Sequence, residues 1–382
     1  MAHHNQHSHV NQTRGRRVAS GALLSAALAG GLSVTAQAST DPYVGGFQAY
    51  SKELKSHDSA HLAPAAQTYA QDVKTTLKKA GYIGPELPLP QAVQVTEGVY
   101  TIVGSQIWHN PANFGLNNNI SFVIFEEGVF VFNAGANTAI AYSVHRQIQR
   151  LTSKPVKWVA VENNQGHAYL GASYWVDVGV KNLYSSELAN FQFDQAFDAI
   201  KEEWAMRVGT AITEPSRNVS DAFTTYQSRH SIDVGGGETV ELIDFGPGHT
   251  PASTSVYIPS RSVLMTGDLG FNERMPVMFP YTNSADWVAS FKRMLEEMPA
   301  DVDVIPGHGT PTDLATVTQQ TLDYFVYLRE QVQTVVDQGG DENAAEQIDQ
   351  SQYQDRPVFE QAAKNNARRI YREMTGGDFD GF

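Results

Sequence analysis

The chain has 382 residues, of which 41% are hydrophobic and 10% aromatic, so it can form one large domain with additions and is not typical of a disordered protein. Its formal net charge of −14 argues against non-specific binding to nucleic acid or to an anionic membrane surface. It has no cysteine, which excludes disulfides, thiolate nucleophiles and cysteine-based zinc sites.

Residues 1–38 have the features of a secretory signal peptide. A basic segment containing Arg16 and Arg17 precedes the short apolar stretch 18–34, and residues 36–38 (Ala-Gln-Ala) form a small-residue cleavage signal. The arginine pair loosely fits twin-arginine export. We therefore expect a periplasmic or secreted protein with no membrane association after cleavage, and the alternative is an uncleaved N-terminal anchor.

The rest of the chain divides into three parts. Residues 39–92 are polar with a helical pattern and end in the Leu-Pro-Leu-Pro sequence at 87–90, which predicts an N-terminal helical extension and linker. Residues 93–330 are expected to form the main domain. Residues 331–382 are expected to form a helical C-terminal tail.

Short β-rich runs alternate with helical stretches in the main domain. The predicted strands are 99–103, 121–125, 129–132, 156–161, 182–184, 231–234, 239–245, 255–258, 262–265 and 302–305. The predicted helices are 139–151, 187–208 and 284–298, and residues 312–374 are helical with one break near Gly339-Gly340. Two strand-rich halves with helices outside them predict an α/β fold, a four-layer αββα sandwich with an N-terminal extension and a helical C-terminal tail.

Four of these strands are followed directly by a segment that contains a metal-binding side chain, namely His167, His249, Asp268 and His308. Nearby glycine and proline residues allow sharp turns that could bring these side chains to a common point. Imidazole nitrogens and carboxylate oxygens from separate loops suit zinc, iron or manganese. Such an ion would polarise a carbonyl or similar group and lower the pKa of its bound water to about 7.

Three short motifs carry a family resemblance. They are Gly-Pro-Gly-His-Thr-Pro at 246–251, Thr-Gly-Asp-Leu at 266–269 and Ile-Pro-Gly-His-Gly at 305–309. In this order and at these spacings they resemble the metallo-β-lactamase superfamily, and the likeness extends over about residues 95–327. A strand pair and turn at 129–135 also fits the family. The resemblance implies an αββα sandwich of the metallo-β-lactamase type and a metal-dependent hydrolase.

The first metal motif of the family is altered in this chain. The family pattern is His-x-His-x-Asp-His, and the aligned residues here are Glu162, Asn164, Gly166 and His167. Asn133 also stands where the family usually has Asp. Glu162 could supply a carboxylate ligand and Asn164 a weaker amide ligand, and both are harder donors than imidazole. Gly166 lacks the acid that commonly orients the attacking water in the family.

The resemblance implies a role for each remaining metal-binding residue. His249 belongs to the first metal site, His167 and His308 belong to the second, and Asp268 bridges both. His167, Asp268 and His308 are therefore expected to hold one ion with its bound water. His249 and Glu162 would either hold a second ion or stabilise the tetrahedral intermediate. The expected cofactor is one or two divalent ions, zinc first, with iron or manganese as alternatives.

An aromatic and histidine-containing loop precedes the second predicted strand. Trp108, His109 and Phe114 lie there, in a region that borders the active site in the family. We interpret them as candidate substrate-binding residues, and simple packing is the plainer alternative. The helix at 187–208 could cover the site as a lid or pack on the sandwich.

Three functions remain open from the sequence. The first is an exported hydrolase that uses a metal-bound hydroxide on an ester, a lactone, an amide such as a β-lactam, or a sulfate ester of a small molecule. The second is a catalytically impaired binding protein of the same fold with a weak or absent metal site, favoured by the altered first motif. The third is a redox enzyme with a single iron, because two imidazoles and one carboxylate support that chemistry. The sequence leaves the oligomeric state open.

Overall fold

A computed structural model describes residues 86–377 of the chain. The predicted signal peptide and most of the predicted N-terminal extension lie outside the described residues. None of the helices between residues 86 and 377 is long and apolar enough to cross a lipid bilayer.

The first sheet has seven strands that are neighbours in chain order. They are β1 (Val93–Thr96), β2 (Val99–Ile102), β3 (Ile120–Ile124), β4 (Val129–Phe132), β5 (Val156–Ala160), β6 (Asn182–Ser186) and β7 (Phe223–Tyr226). The strands β1 to β4 pair antiparallel, and β4 to β7 pair parallel. The parallel strands are joined by helical crossovers, as their geometry requires.

The second sheet has six strands in the order β13-β12-β11-β10-β9-β8. They are β8 (Arg229–Asp233), β9 (Thr239–Asp244), β10 (Thr254–Ile258), β11 (Val263–Phe271), β12 (Asp303–His308) and β13 (Thr312–Asp313). The pair β11–β12 is parallel and the others are antiparallel. The sheet is therefore mixed, with a helical crossover between β11 and β12.

Ten α-helices lie among the described residues. They are α1 (Thr138–Leu151), α2 (Gly166–Tyr169), α3 (Ala172–Asp177), α4 (Glu187–Val208), α5 (Thr210–Thr213), α6 (Ser284–Glu297), α7 (Leu314–Val317), α8 (Asp323–Asp337), α9 (Glu342–Glu346) and α10 (Phe359–Thr375). The N-cap side chains of Asn137, Ser186 and Asn283 accept backbone N–H groups at the starts of α1, α4 and α6. Such caps satisfy donors that the first helical turn leaves without a partner.

Three hydrophobic cores separate four layers. Between the sheets, Val123 and Phe130 of the first sheet pack in one cluster with Val240, Val256 and Ile305 of the second. A second core joins the outer face of the first sheet to α1 and α3, and a third joins the outer face of the second sheet to α6, α8 and α10. The predicted αββα sandwich is confirmed.

The predicted elements differ from the observed ones at several places, among them β13 (Thr312–Asp313), which lies where the helical stretch was predicted to begin. The short strands β1 and β7 were not predicted. The strand β11 continues through Asp268 to Phe271, where a loop was predicted. The predicted boundary at residue 330 falls inside α8, and Leu328, Val332 and Ile370 all lie in the outer core of the second sheet. The C-terminal helices are thus packed on the sandwich.

We expect the core between the sheets to carry much of the stability of the described fold. Phe130 is fully buried there, so Phe130→Ala should lower the free energy of unfolding by about 3–5 kcal/mol. Phe191 on α4 is 61% exposed, and Phe191→Ala, the matched control, should change it by less than about 0.5 kcal/mol. Urea unfolding followed by tryptophan fluorescence measures both. Equal effects of the two substitutions would contradict this account of the core.

Candidate metal centre

The predicted metal-binding residues come together at one end of the sandwich, where strands of both sheets stop. Glu162 follows β5, His167 lies in α2, His249 follows β9, Asp268 lies within β11, and His308 is the last residue of β12. All five side chains are buried. Residues far apart in the chain therefore form one polar cluster inside an apolar scaffold.

Asp268 is at the centre of this cluster. Its Oδ1 lies 3.1 Å from His308 Nε2, and its Oδ2 lies 3.5 Å from His167 Nε2 and 3.8 Å from His249 Nε2. Asn163 Nδ2 donates a hydrogen bond to Oδ2 at 3.2 Å. Burial tends to raise the pKa of this carboxyl, but the surrounding imidazoles, His308 first, outweigh it and hold the pKa below its usual value.

Glu162 is the second buried carboxylate of the cluster. Its Oε1 accepts hydrogen bonds from Asn133 Nδ2 at 2.9 Å and Asn118 Nδ2 at 3.3 Å, and its Oε2 accepts one from the backbone N–H of Asp268 at 2.5 Å. Burial, and then the nearby Asp268, raise the pKa of Glu162. A Cβ at Gly267 would lie 2.4 Å from Glu162 Oε2, so the glycine makes room for this carboxylate.

His167 lies between the two carboxylates. Its Nε2 is 3.3 Å from Glu162 Oε1 and 3.5 Å from Asp268 Oδ2, yet this buried nitrogen has no hydrogen-bond partner. Asp268 Oδ1 is also buried without one. Burial lowers the pKa of His167, but the adjacent Glu162 carboxylate and the charge of Asp268 outweigh it and raise the pKa overall. The site thus favours a positive charge at this nitrogen.

This donor set fits one metal ion. One ligand atom each from Glu162, His167 and Asp268 lies within 4.8 Å of the other two, and all three residues are buried. Two buried atoms that lack hydrogen bonds, and two carboxylates that require a cation, are what a divalent ion would satisfy. The fit differs from the set that the family resemblance implied for one ion, because Glu162 is in it and His308 is not.

His249 adjoins this set with its ring held in one orientation. Its Nδ1 lies 2.9 Å from the backbone oxygen of Val277 and donates to it, which leaves the Nε2 lone pair facing the cluster. Burial lowers the pKa of His249 to about 4, so the ring is neutral near pH 7. Gln165 Nε2 is 3.1 Å from His249 Nε2 and also donates to the hydroxyl of Tyr281.

His308 has a different partner. Arg274 Nη1 donates to His308 Nδ1 at 2.7 Å, and the His308 ring stacks on Phe271 with centroids 4.9 Å apart. Burial, and then the charge of Arg274, lower the pKa of His308 to about 3. Arg274 is itself buried, which lowers its pKa to about 10, so it stays charged near neutral pH. The sequence analysis did not identify Arg274, because it lies in no motif.

The two asparagines of the altered motif lie in different places. Asn164, the weaker predicted ligand, donates to Gln192 Oε1 on α4 at 2.8 Å, so its amide is directed away from the cluster. Asn163, which was not predicted, donates to Asp268 instead. The chain turns into α2 here, and that turn decides which of the two neighbours faces the centre.

An aromatic side chain fills the space beside Gly166. A Cβ at Gly166 would lie 2.1 Å from Trp204 Nε1, so Trp204 of α4 occupies the volume into which any other side chain would extend. His109 stacks on Trp204 with centroids 3.9 Å apart and an interplanar angle of 13°. Its Nε2 is buried without a hydrogen-bond partner and lies 3.9 Å from Glu203 Oε1. Burial and then nearby Arg207 lower the pKa of His109.

The other two candidate substrate-binding residues are placed differently. Trp108 is half-buried, and the guanidinium carbon of Arg274 lies 5.3 Å from the centre of its ring. Phe114 is fully buried in the core beside the first sheet. Trp108 therefore contacts Arg274, which in turn contacts the metal centre. Phe114 packs inside the protein and presents no surface to a ligand.

The geometry and the motifs agree with a comparison against protein families. Residues 168–308 match the model of the Metallo-beta-lactamase superfamily. This segment is a metallo-β-lactamase superfamily domain. The predicted family resemblance is confirmed, and the superfamily generally consists of hydrolytic metalloenzymes. The matched segment contains His249, Asp268 and His308, whereas the altered first motif, which ends at His167, lies wholly before it.

Solved structures similar to this chain include a metallo-β-lactamase from Pontibacter korlensis, TMB-1 and the DIM-1 metallo-β-lactamase. The enzyme from Pontibacter korlensis is 19% identical, with 62% of this chain and 98% of that chain covered and a TM-score of 0.49. TMB-1 is 17% identical, with 63% and 99% covered, and DIM-1 is 17% identical, with 64% and 99% covered; both have a TM-score of 0.48. A search of curated proteins found no significant match.

Gly166 and Trp204 are expected to depend on each other. Gly166→Ala should lower the free energy of unfolding by about 1–3 kcal/mol, because the new Cβ overlaps the indole of Trp204. In a Trp204→Ala background the same substitution should not lower the free energy of unfolding, because alanine is favoured over glycine in a helix. Urea unfolding of the four proteins gives the coupling energy.

The control for this cycle is Gly377→Ala. A Cβ at Gly377 would meet its nearest neighbour, Arg372 Cγ, at 3.4 Å, an ordinary contact. This substitution should be close to neutral in both backgrounds. A Gly166→Ala cost that is the same with and without the indole would contradict the steric account.

Proposed function

We propose that this chain is an exported metal-dependent hydrolase that acts on an ester, a lactone, an amide such as a β-lactam, or a sulfate ester of a small molecule. The observation that carries the proposal is the buried cluster of Glu162, His167 and Asp268, whose ligand atoms lie within 4.8 Å of each other. The motifs of a generally hydrolytic superfamily surround it. Zinc is the first candidate for the metal, with iron or manganese as alternatives.

The residues that would hold the ion are Glu162, His167 and Asp268, with His249 Nε2 available beside them. A divalent ion bound there would polarise the substrate carbonyl or sulfuryl oxygen and make water acidic enough to deprotonate near neutral pH. Asn118 and Asn133 fix the position of the Glu162 carboxylate through their hydrogen bonds. The ligand atoms are therefore preorganised.

Two other residues would act on the substrate rather than on the ion. Gln165 is half-buried next to His249, and its amide can donate a hydrogen bond to a substrate oxygen once it releases that ring. Trp204 is buried against Gly166, where it excludes water from this side of the centre. An acid that orients the attacking water is missing at Gly166, where the indole of Trp204 occupies the space beside the backbone.

Metal dependence is the first test. Purified protein should contain a divalent metal, and removal by a chelator should abolish turnover on a panel of ester, lactone, β-lactam and aryl sulfate substrates until metal is restored. His167→Ala and Asp268→Asn should each reduce the metal-stimulated rate by more than about 100-fold, because each removes a ligand. His230→Ala, remote from the cluster, is the matched control and should stay within about twofold.

The outcome of this test separates the hydrolase from a binding protein that has lost catalysis. The altered first motif favours the second function, which predicts no metal-stimulated turnover on any substrate class. The absence of both bound metal and turnover would refute the hydrolase. Tight retention of iron, with a coloured or spin-active protein, would instead favour redox chemistry.

We also propose export to the periplasm or the medium. The support is the basic segment, the apolar stretch and the cleavage signal within residues 1–38. Expression of the full chain in a bacterium should yield a mature protein in the periplasmic or extracellular fraction that begins at Ser39. Replacing Arg16 and Arg17 by lysine should retain the precursor in the cytoplasm if export uses the twin-arginine route. A full-length protein in the membrane fraction would show an uncleaved anchor.

A further inference from the structure

We propose that the site holds one metal ion, because Arg274 takes His308 out of the ligand set and supplies a fixed positive charge in place of a second ion. This inference rests on the metal binding in the proposed function. It concerns the number of ions, which neither the motifs nor the family match determines. It is carried by the contacts of a residue that lies in no motif.

The first argument is the state of the His308 ring. An arginine side chain can only donate hydrogen bonds, so the 2.7 Å contact from Arg274 Nη1 requires a lone pair on His308 Nδ1. A neutral imidazole has one lone pair and one N–H. His308 Nε2 therefore carries the hydrogen, and this is the nitrogen that faces Asp268 at 3.1 Å. A nitrogen that carries a hydrogen cannot bind a metal ion.

His249 shows the opposite arrangement. Its Nδ1 donates to a backbone carbonyl oxygen, so its Nε2 has the lone pair and faces Asp268. A carbonyl acceptor behind the ring is the usual partner of a metal-binding histidine. His249 and His308, to both of which the family resemblance assigns a ligand role, thus differ, and of these two only His249 is oriented for that role.

The second argument is the balance of buried charge. Glu162 and Asp268 are the buried carboxylates that face the centre, and one divalent ion neutralises both. Arg274 is 3% exposed, and no carboxylate of the described residues lies within 4.0 Å of its guanidinium nitrogens. A second divalent ion would add two further positive charges beside this buried cation, and the acid that stabilises the cation, Asp268, is already a ligand of the first ion, so a low-dielectric interior disfavours it.

The third argument is that Arg274 is held in place. Its Nη1 lies 2.7 Å from one nitrogen of the His308 ring and 3.5 Å from the other. Its guanidinium group lies 5.3 Å from the centre of the Trp108 ring, within the range of a cation–π contact. Its Nε is buried without a hydrogen-bond partner. The residue is therefore a built part of the centre.

The test is the number of Zn²⁺ ions bound per chain. Metal-free protein is titrated with Zn²⁺ by calorimetry, and bound zinc is measured by elemental analysis after dialysis. We expect one ion in the wild type and one in His308→Ala. His249→Ala should lower the affinity for this single ion by at least about 10-fold, because it removes a residue oriented toward the centre. These readouts do not require hydrolytic activity.

Arg274→Met is the decisive variant, because it keeps the length of the side chain but removes the charge and the donors. It should bind two ions, and the double variant Arg274→Met with His308→Ala should bind one again. Arg274→Lys keeps the charge, so this variant should bind one ion. It is used instead of Arg274→Met if circular dichroism shows that the methionine variant does not fold. In that case His308→Ala in the lysine background should also bind one.

Two ions in the wild type would overturn the inference, and so would a loss of zinc affinity in His308→Ala as large as that in His249→Ala. The inference and the proposed function can fail separately. Two ions together with hydrolysis would overturn only the inference. One ion without hydrolysis on any substrate would support the inference and contradict the proposed function. No zinc binding at all would overturn the inference.

Discussion

The structure of this centre depends on two carboxylates buried side by side. Glu162 and Asp268 are closed off from solvent, and each disfavours the ionised form of the other. Such a pair is stable only if hydrogen bonds and positive charges compensate for the lost hydration. The amides of Asn118 and Asn133 provide the hydrogen bonds, and His167 lies where a positive charge is stabilised by both acids. The same conditions suit a divalent ion.

The side of the centre where the family motif is altered has been rebuilt from aromatic groups. Gly166 leaves a space, Trp204 of α4 fills it, and His109 stacks on the outer face of the indole. The position that is acidic in the family pattern is thus occupied by an indole ring, whose Nε1 lies nearest to it. This connects the loss of the acid to the long helix α4, which the sequence analysis considered either as a lid or as a packing element. Through Trp204, the helix α4 lines one side of the centre.

The centre also has a buried positive charge beside it. Arg274 lies against Trp108 and donates to His308, so one loop carries a buried cation next to a histidine of a family motif. In the chain these residues are 34 positions apart. Their contact depends on the parallel pairing of β11 with β12, which brings Phe271 opposite His308 and places the loop after β11 beside the ring. The position of this charge is therefore determined by the strand pairing and not by any sequence motif.

The layers and most element positions followed from the sequence because they depend on local patterns. The bounds of α4 agree with the predicted helix at 187–208, since its start and end have clear caps at Ser186 and Gly209. The strand β11 was predicted too short, because Gly267 resembles a turn signal while its backbone still allows the strand to continue with an irregular register. The sequence did not predict that Phe114 is buried in the core, because an aromatic residue in a loop can either pack inside the protein or face a ligand.

The sequence by itself determined the αββα architecture, the family resemblance, and the candidate residues His167, His249, Asp268, His308 and Glu162. Each of these follows from neighbouring residues and their spacing. Only the tertiary structure decided that Asn163 rather than Asn164 faces Asp268, that Trp204 fills the space at Gly166, and that Arg274 engages His308. The physical reason is that these contacts depend on how a helix or loop packs against a strand end, which local sequence patterns do not encode.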